Sequence, residues 1–269
     1  MIELHSHSTC SDGVLTPTQL VQASARAGVK ALALTDHDTM LGVVEATQAA
    51  ILFGLEIVPG LELSTTHQGH SLHILGYYPN PGQLDASLTA RQESRQERTE
   101  RMVAKLAQLG VHITLPPIAN PGRPHIARAL VAAGYVATSQ AAFDRYLRED
   151  RPAYEPYAPL SAPAGVKLLR DCGAVPVWAH PLLFRGGPTE QVLNELVQAG
   201  LQGLEVYRPE ISHSQRERLC QLARRHSLVL TGGSDYHGTH QGEAHAIQLN
   251  MLNLSLDLLA NLKQRAALN

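Results

Sequence analysis

Short apolar runs alternate with helical patterns along most of this 269-residue chain, and histidines and carboxylates cluster near where the runs end. Ile2–His5, Lys30–Thr35, Leu55–Ser64, His70–Tyr77, Ala174–Ala179, Gly203–Tyr207 and Ser227–Thr231 read as strands. The first helix is announced by Thr16 as N-cap, Pro17 at the first helical position and Gln19 three residues after the cap, and Gly28 ends it. The second is expected over Thr39–Phe53, with Asp38 as its N-cap and Gly54 as its stop. Further helices are expected at Ala164–Asp171, Thr189–Ala199, Ser214–Arg225 and Ser255–Arg265. Such alternation points to parallel βα units. A single α/β barrel of about 250 residues suits the length.

One stretch breaks the pattern. Asp85–Leu109 reads as a long charged helix carrying Arg91, Arg95, Arg98 and Arg101 among Glu93, Glu97 and Glu100. Its simplest reading is a solvated face, with Glu97 and Arg101 attractive at i,i+4 and Glu93 and Glu97 repulsive. A proline-rich turn through Pro116, Pro117, Pro121 and Gly122 leads to a helix over His125–Ala133. Another helix is expected near Gln140–Glu149, and Arg151–Pro163 reads as a linker. Residues 80–160 are therefore expected to be a helical insertion, leaving 1–79 and 161–269 to build the barrel.

Composition narrows the functional classes. Apolar residues make up 44% of the chain, which excludes a disordered or fibrous protein. A formal charge of −2 argues against a protein that holds a duplex mainly by counterion release. Cys10, Cys172 and Cys220 are odd in number and far apart, so they suit neither a disulfide framework nor a zinc pair, and a reducing cytoplasm is the simplest compartment. No signal peptide or membrane-length apolar run is visible. The 18 Arg against 4 Lys fit either genomic base composition or recognition of anionic groups. The unusual figure is 14 histidines, because imidazole is the commonest metal ligand.

Their positions give the count its meaning. His5 and His7 are two apart in an extended segment, so both side chains face one way. Asp12 follows in the loop, and Thr35-Asp36-His37-Asp38 ends the second strand. Glu62 lies in the third strand, His73 in the fourth, His180 after the fifth, and Asp235 and His237 after the last. A lone His-x-His is weak. Six such sites sharing the strand ends, where barrels place reacting groups, form a strong signal.

These motifs resemble those of the polymerase-and-histidinol-phosphatase (PHP) family of metal-dependent phosphoesterases. The matching residues are His5-Ser6-His7, Ser11-Asp12-Gly13, Thr35-Asp36-His37-Asp38, Glu62, His73, Ala179-His180-Pro181 and Gly233-Ser234-Asp235-Tyr236-His237. The resemblance implies a distorted (β/α)7 barrel, an α/β fold, holding two or three divalent ions. One ion would take His5, His7, Glu62 and Asp235; a second would share Glu62 and add His73 and His180; a third would take Asp12, His37 and His237. Some relatives carry histidine at the position of Asp12. A carboxylate there favours manganese or iron over zinc, and Mn2+ is the expected metal, ahead of Zn2+, Fe2+ or Mg2+. Asp36 is expected to accept a hydrogen bond from a ligand imidazole, or else to serve as a helix N-terminal residue.

The implied activity is phosphoester hydrolysis by metal-activated hydroxide, with no Ser or Cys nucleophile. Asp12 or His237 is a candidate to protonate the leaving oxygen. Asn120–Arg128 resembles the corresponding segment of a PHP subgroup acting on 3′,5′-nucleoside bisphosphates or on short RNA from its 5′ end, which assigns Arg123 and His125 to phosphate binding. Arg128 is expected to face solvent, while Arg185, Arg208 and His213 are weaker substrate candidates on barrel-top loops. The expected substrate is a small nucleotide, with no membrane and no obligate protein partner. Competing readings are a histidinol-phosphate phosphatase, a 5′–3′ exoribonuclease and a metal-dependent amidohydrolase. None of Lys30, Lys105, Lys167 and Lys263 is placed to bridge ions, which disfavours the last.

Overall fold

The computed structural model describes residues 1–157, 160–238 and 247–269. Two of the histidines, His240 and His245, lie outside the described residues. Seven strands form one sheet in sequence order: β1 (Ile2–Glu3), β2 (Ala31–Leu34), β3 (Glu56–His67), β4 (His70–Tyr77), β5 (Val175–Trp178), β6 (Gly203–Tyr207) and β7 (Val229–Gly232). A parallel bridge between Ser6 and Tyr236 brings the last strand end back to the first, so the sheet is a nearly closed barrel. Gly233 permits that approach, since a Cβ there would stand 2.5 Å from the Cβ of His5.

The sheet is not uniformly parallel, as strand–helix alternation had implied. β4 runs antiparallel to both β3 and β5. Its connection explains why: Gln68 and Gly69, with φ of 50° and 83°, make a two-residue hairpin turn. A parallel pairing would need a crossover of a dozen residues or more.

Helices α1 (Pro17–Arg26) and α2 (Val43–Phe53) cover one side of the barrel. The Thr16 capping box forms as expected, with Gln19 Oε1 accepting from the Thr16 N–H at 2.9 Å. α2 begins four residues later than expected, at Val43 with Gly42 as its N-cap. Asp38 therefore caps nothing. It has φ of 49° and is buried against the insertion.

The insertion contributes α3 (Pro81–Gln108), α4 (Arg123–Ala132) and α5 (Ser139–Ala142), the last continuing into a π-helical turn over Phe143–Leu147. α3 belongs to two cores. Leu84 and Leu88 pack with the barrel residues Leu61 and Leu63, whereas Met102 and Leu106 pack with Ile126, Leu130 and Leu147. Nor is α3 a solvated face. Arg95 and Arg98 are 3% and 2% exposed. Arg98 Nε donates to Glu155 O at 2.7 Å and its guanidinium lies 3.9 Å over the Tyr157 ring. The segment read as a linker is thus gripped by the helix. α6 (Ala162–Asp171), α7 (Thr189–Gln198), α8 (His213–Arg225) and α9 (Leu256–Ala266) complete the outer layer. Among the described residues no helix is long and apolar enough to cross a membrane.

Candidate metal centre

All nine residues expected as ligands meet at one end of the barrel. Glu62 is the hub. Its Oε2 lies 3.1 Å from His5 Nε2, 3.2 Å from His7 Nε2 and 3.3 Å from His37 Nδ1. Its Oε1 lies 2.9 Å from both His73 Nδ1 and His180 Nε2. Asp235 Oδ1 is 3.3 Å from His5 Nε2 and 3.2 Å from His7 Nε2. Asp12 faces His237 at 3.2 Å and His37 at 3.6 Å. Three groups of ligand atoms are close enough to share an ion: His5, His7, Glu62 and Asp235; His7, Asp12, His37 and His237; and His37, Glu62 and His73. The first agrees with the expected set. The others differ: His7 and His37 each join two groups, and His180, expected with His73, joins none of them although its Nε2 lies 2.9 Å from Glu62 Oε1.

The donor set fits divalent cations. His7 Nε2, His37 Nδ1 and Asp235 Oδ1 are buried and make no hydrogen bond, although each lies within 3.3 Å of a partner atom. An unsatisfied buried polar atom costs about 1–3 kcal/mol, which a bound cation would relieve. Charge points the same way. Burial disfavours ionised Glu62, Asp235 and Asp12, yet the surrounding imidazoles hold all three well below the ordinary carboxylate range. Burial likewise opposes protonation of His7, but Asp235 and Glu62 raise it to about 10.

Carboxylates outside this set hold it in shape. Asp36 accepts from Ser8 N at 2.7 Å, Ser8 Oγ at 2.6 Å and Ser11 Oγ at 2.6 Å. It braces the loop carrying His7 and Asp12, rather than an imidazole as expected. The imidazole contact belongs to Glu205, whose Oε1 accepts from His5 Nδ1 at 2.8 Å. Glu3 accepts from the N–H and Oγ of Ser234 at 2.7 and 2.8 Å, and burial raises its pKa to about 7. Neither Glu3 nor Glu205 belongs to the motifs that mark the ligands in the sequence. The available signal was a carboxylate inside an otherwise apolar buried strand, a position that demands a partner.

The insertion reaches the same end of the barrel. Asn120 Nδ2 donates to the carbonyl of His37. Arg128 Nη1 donates to Asp12 O at 3.0 Å, which corrects its expected solvent-facing position. Arg123 opens α4 and lines a cavity of about 760 Å³ together with His73, His180, Phe184 and Arg185. His125 Nδ1 accepts from the Gly122 N–H at 3.0 Å, and burial together with Arg128 lowers its pKa to about 4. Arg208, one of the weaker substrate candidates, is 4% exposed and spent on Glu205, Asp235 and Glu210 at 3.3 to 3.4 Å. Its buried ion pairs, rather than a free guanidinium on a loop, are what this residue offers. His213 is exposed at the start of α8.

A family model described as "PHP domain" matches residues 3–147. The chain belongs to the PHP family. A PHP relative from Chromobacterium violaceum, named 3′,5′-nucleoside bisphosphate phosphatase, is 34% identical over 252 residues, covering 90% of this chain and 88% of that protein. Another from Haemophilus influenzae, named 5′-3′ exoribonuclease, is 32% identical over 249 residues, covering 87% and 89%. A solved structure from Bifidobacterium adolescentis, described as a metal-dependent phosphoesterase, superposes with a TM-score of 0.86 at 31% identity, covering 98% of this chain and 95% of that one. The PHP chain is thus an enzyme of the metal-dependent phosphoesterase class, with an α/β barrel fold.

Proposed function

We propose that this PHP enzyme removes one phosphate from a small nucleotide, most simply a 3′,5′-nucleoside bisphosphate, giving a nucleoside monophosphate and inorganic phosphate. The observation carrying this reading is that Arg123 lines the same cavity as His73 and His180, which puts a guanidinium within the cavity that borders the candidate metal centre. His5, His7, Asp12, His37, Glu62, His73, His180, Asp235 and His237 would hold two or three divalent ions, with manganese preferred because Asp12 brings a carboxylate to the third group. Bound there, the ions would lower the pKa of water and neutralise phosphoryl charge.

The chain's own groups supply position. Arg123 offers a planar fork of donors to a phosphate. In His125 the Nδ1 is occupied as an acceptor, so the neutral ring carries its proton on Nε2 and can donate it to a phosphoryl oxygen. Water oxygen bonds to phosphorus, the P–O bond to the nucleoside breaks, and a proton goes to the leaving oxygen. The described part of the insertion caps the site through Asn120 and Arg128. Three unpaired thiols suit a reducing compartment, the cytoplasm.

A second reading is 5′–3′ removal of nucleotides from short RNA. It draws on the size of the cavity, which extends beyond Arg123 to Arg148, Arg151 and Arg185. Among the described residues no lysine is placed to bridge two ions. Lys105, Lys167 and Lys263 pair with Glu155, Asp171 and Glu56 away from the cluster, and Lys30 is exposed ahead of β2. A manganese-supplemented panel of adenosine 3′,5′-bisphosphate, histidinol phosphate and 5′-phosphorylated oligoribonucleotides tests the proposal. Turnover of the bisphosphate is expected. Turnover of histidinol phosphate alone overturns the nucleotide assignment.

A further inference from the structure

β6 contributes no residue to the candidate ligand set, yet it carries Glu205, a fully buried carboxylate that touches ligands from two other strand ends. Its Oε1 accepts from His5 Nδ1 at 2.8 Å. Its Oε2 accepts from the backbone N–H of His180 at 2.7 Å and lies 3.3 Å from Arg208 Nη1. The same guanidinium nitrogen reaches Asp235 Oδ2 at 3.4 Å. His180 has φ of 34°, a left-handed conformation that costs a residue with a side chain about 1–3 kcal/mol and persists only when its surroundings hold it.

We infer that Glu205 is the positioning residue that makes His5 and His180 competent to bind metal. The inference rests on the metal-centre reading of the proposed function. With Nδ1 held by Glu205, the His5 ring is fixed in orientation, and its Nε2 is left facing Glu62 Oε2 and Asp235 Oδ1. A carboxylate in that place also makes the imidazole a stronger donor to a cation. The second oxygen secures the strained turn that aims the His180 ring at Glu62 Oε1. One side chain therefore serves the His5 group and the His180 side of the bridging glutamate together. Both oxygens of Glu205 are engaged, one by His5 and the other by the His180 N–H and Arg208, so its effect passes through the two histidines.

Glu205→Gln keeps the shape and removes the charge. Titrated with Mn2+ or Co2+ after chelator treatment, the variant is expected to bind the ion at the His5 group about 10- to 100-fold more weakly than wild type. Its cobalt absorption spectrum should change, while the far-ultraviolet circular dichroism of the metal-free protein stays the same. Wild-type affinity together with an unchanged cobalt spectrum overturns the role of Glu205. A wild-type protein that takes up no metal overturns instead the metal-centre reading beneath it. A further test needs no variant. Zinc-loaded wild-type protein labelled with 15N-histidine should show a protected, low-field Nδ1 proton that is lost in His5→Gln, and its absence also sinks the inference.

Discussion

Arg95 Nη1 donates to Asp38 Oδ2 at 2.8 Å, and both side chains are buried. The pair ties α3 of the insertion to the residue next to His37. Asp38 Oδ1 accepts from Ser64 N and Arg91 Nε at 2.8 and 3.0 Å, so the carboxylate is fully used. Burial would raise its pKa, but Arg95 and Arg91 lower it to about 2.

Asp38→Ala is expected to destabilise the protein by about 3–5 kcal/mol, because it leaves a buried guanidinium without its anion. Urea denaturation checks this. The pH dependence follows from the lowered pKa. In the unfolded chain the carboxyl titrates near 3.8, and in the folded protein near 2. The folded state therefore binds fewer protons between these values, and the contribution is complete above about pH 4. It is lost as pH falls toward 2, and amounts to about 2 kcal/mol. Asp38→Asn should flatten that part of the stability profile. An unchanged acid limb would show that the pair contributes nothing.

Asp36 gives a second test. Replacing it with Ala removes three acceptor bonds to Ser8 and Ser11, and the loop between His7 and Asp12 loses its brace. A loss of about 2–4 kcal/mol is expected, at roughly 1 kcal/mol or more per bond. Metal titration should show weaker binding at the group containing Asp12 and His237, with the His5 group less affected. Equal weakening at every group would count against a local role.

The sequence made the candidate ligands legible for a specific reason. His5, His7, Asp235 and His237 sit at strand ends, where chain direction alone decides which end of the barrel they reach. The supporting charges were harder to read. Asp38 follows a strand and precedes a helix, so a cap was the natural reading, but its left-handed backbone turns it toward Arg91 and Arg95. The arginines of α3 looked solvated because their partners lie far away in sequence. Asp38 is 57 residues from Arg95, and Arg98 meets Glu155 at the same separation. The antiparallel β4 was hidden by a turn lacking Asn or Asp, with Gln68 occupying the left-handed position instead.

Removal of metal is expected to destabilise as well as inactivate. Without cations, Asp12, Glu62 and Asp235 are crowded carboxylates whose neighbours are imidazoles and, for Asp235, Arg208. Dialysis against a chelator should abolish phosphate release and lower Tm, and Mn2+ should restore both. At a hundredfold excess over Kd, one ion contributes about 2.7 kcal/mol of folding stability. Activity surviving exhaustive chelation would sink the metal-centre reading.

Arg123 and Arg185 line the same cavity but should not contribute equally. Arg123 is half-buried at the first turn of α4, two residues before the pinned His125, with its guanidinium 5.8 Å from the Phe143 and Tyr154 rings. Arg185 is exposed on the loop after a short 3-10 turn at Pro181–Leu183, where ordering a long side chain costs entropy and water screens its charge. Arg123→Met should lower kcat/KM for a nucleoside bisphosphate about 10- to 100-fold, the worth of one charge-assisted hydrogen bond. Arg185→Met should change it only a few-fold. Steady-state kinetics at matched manganese concentration separates the two. Equal losses would place the phosphate nearer the loop, and full activity in Arg123→Met would remove that residue from the phosphate site.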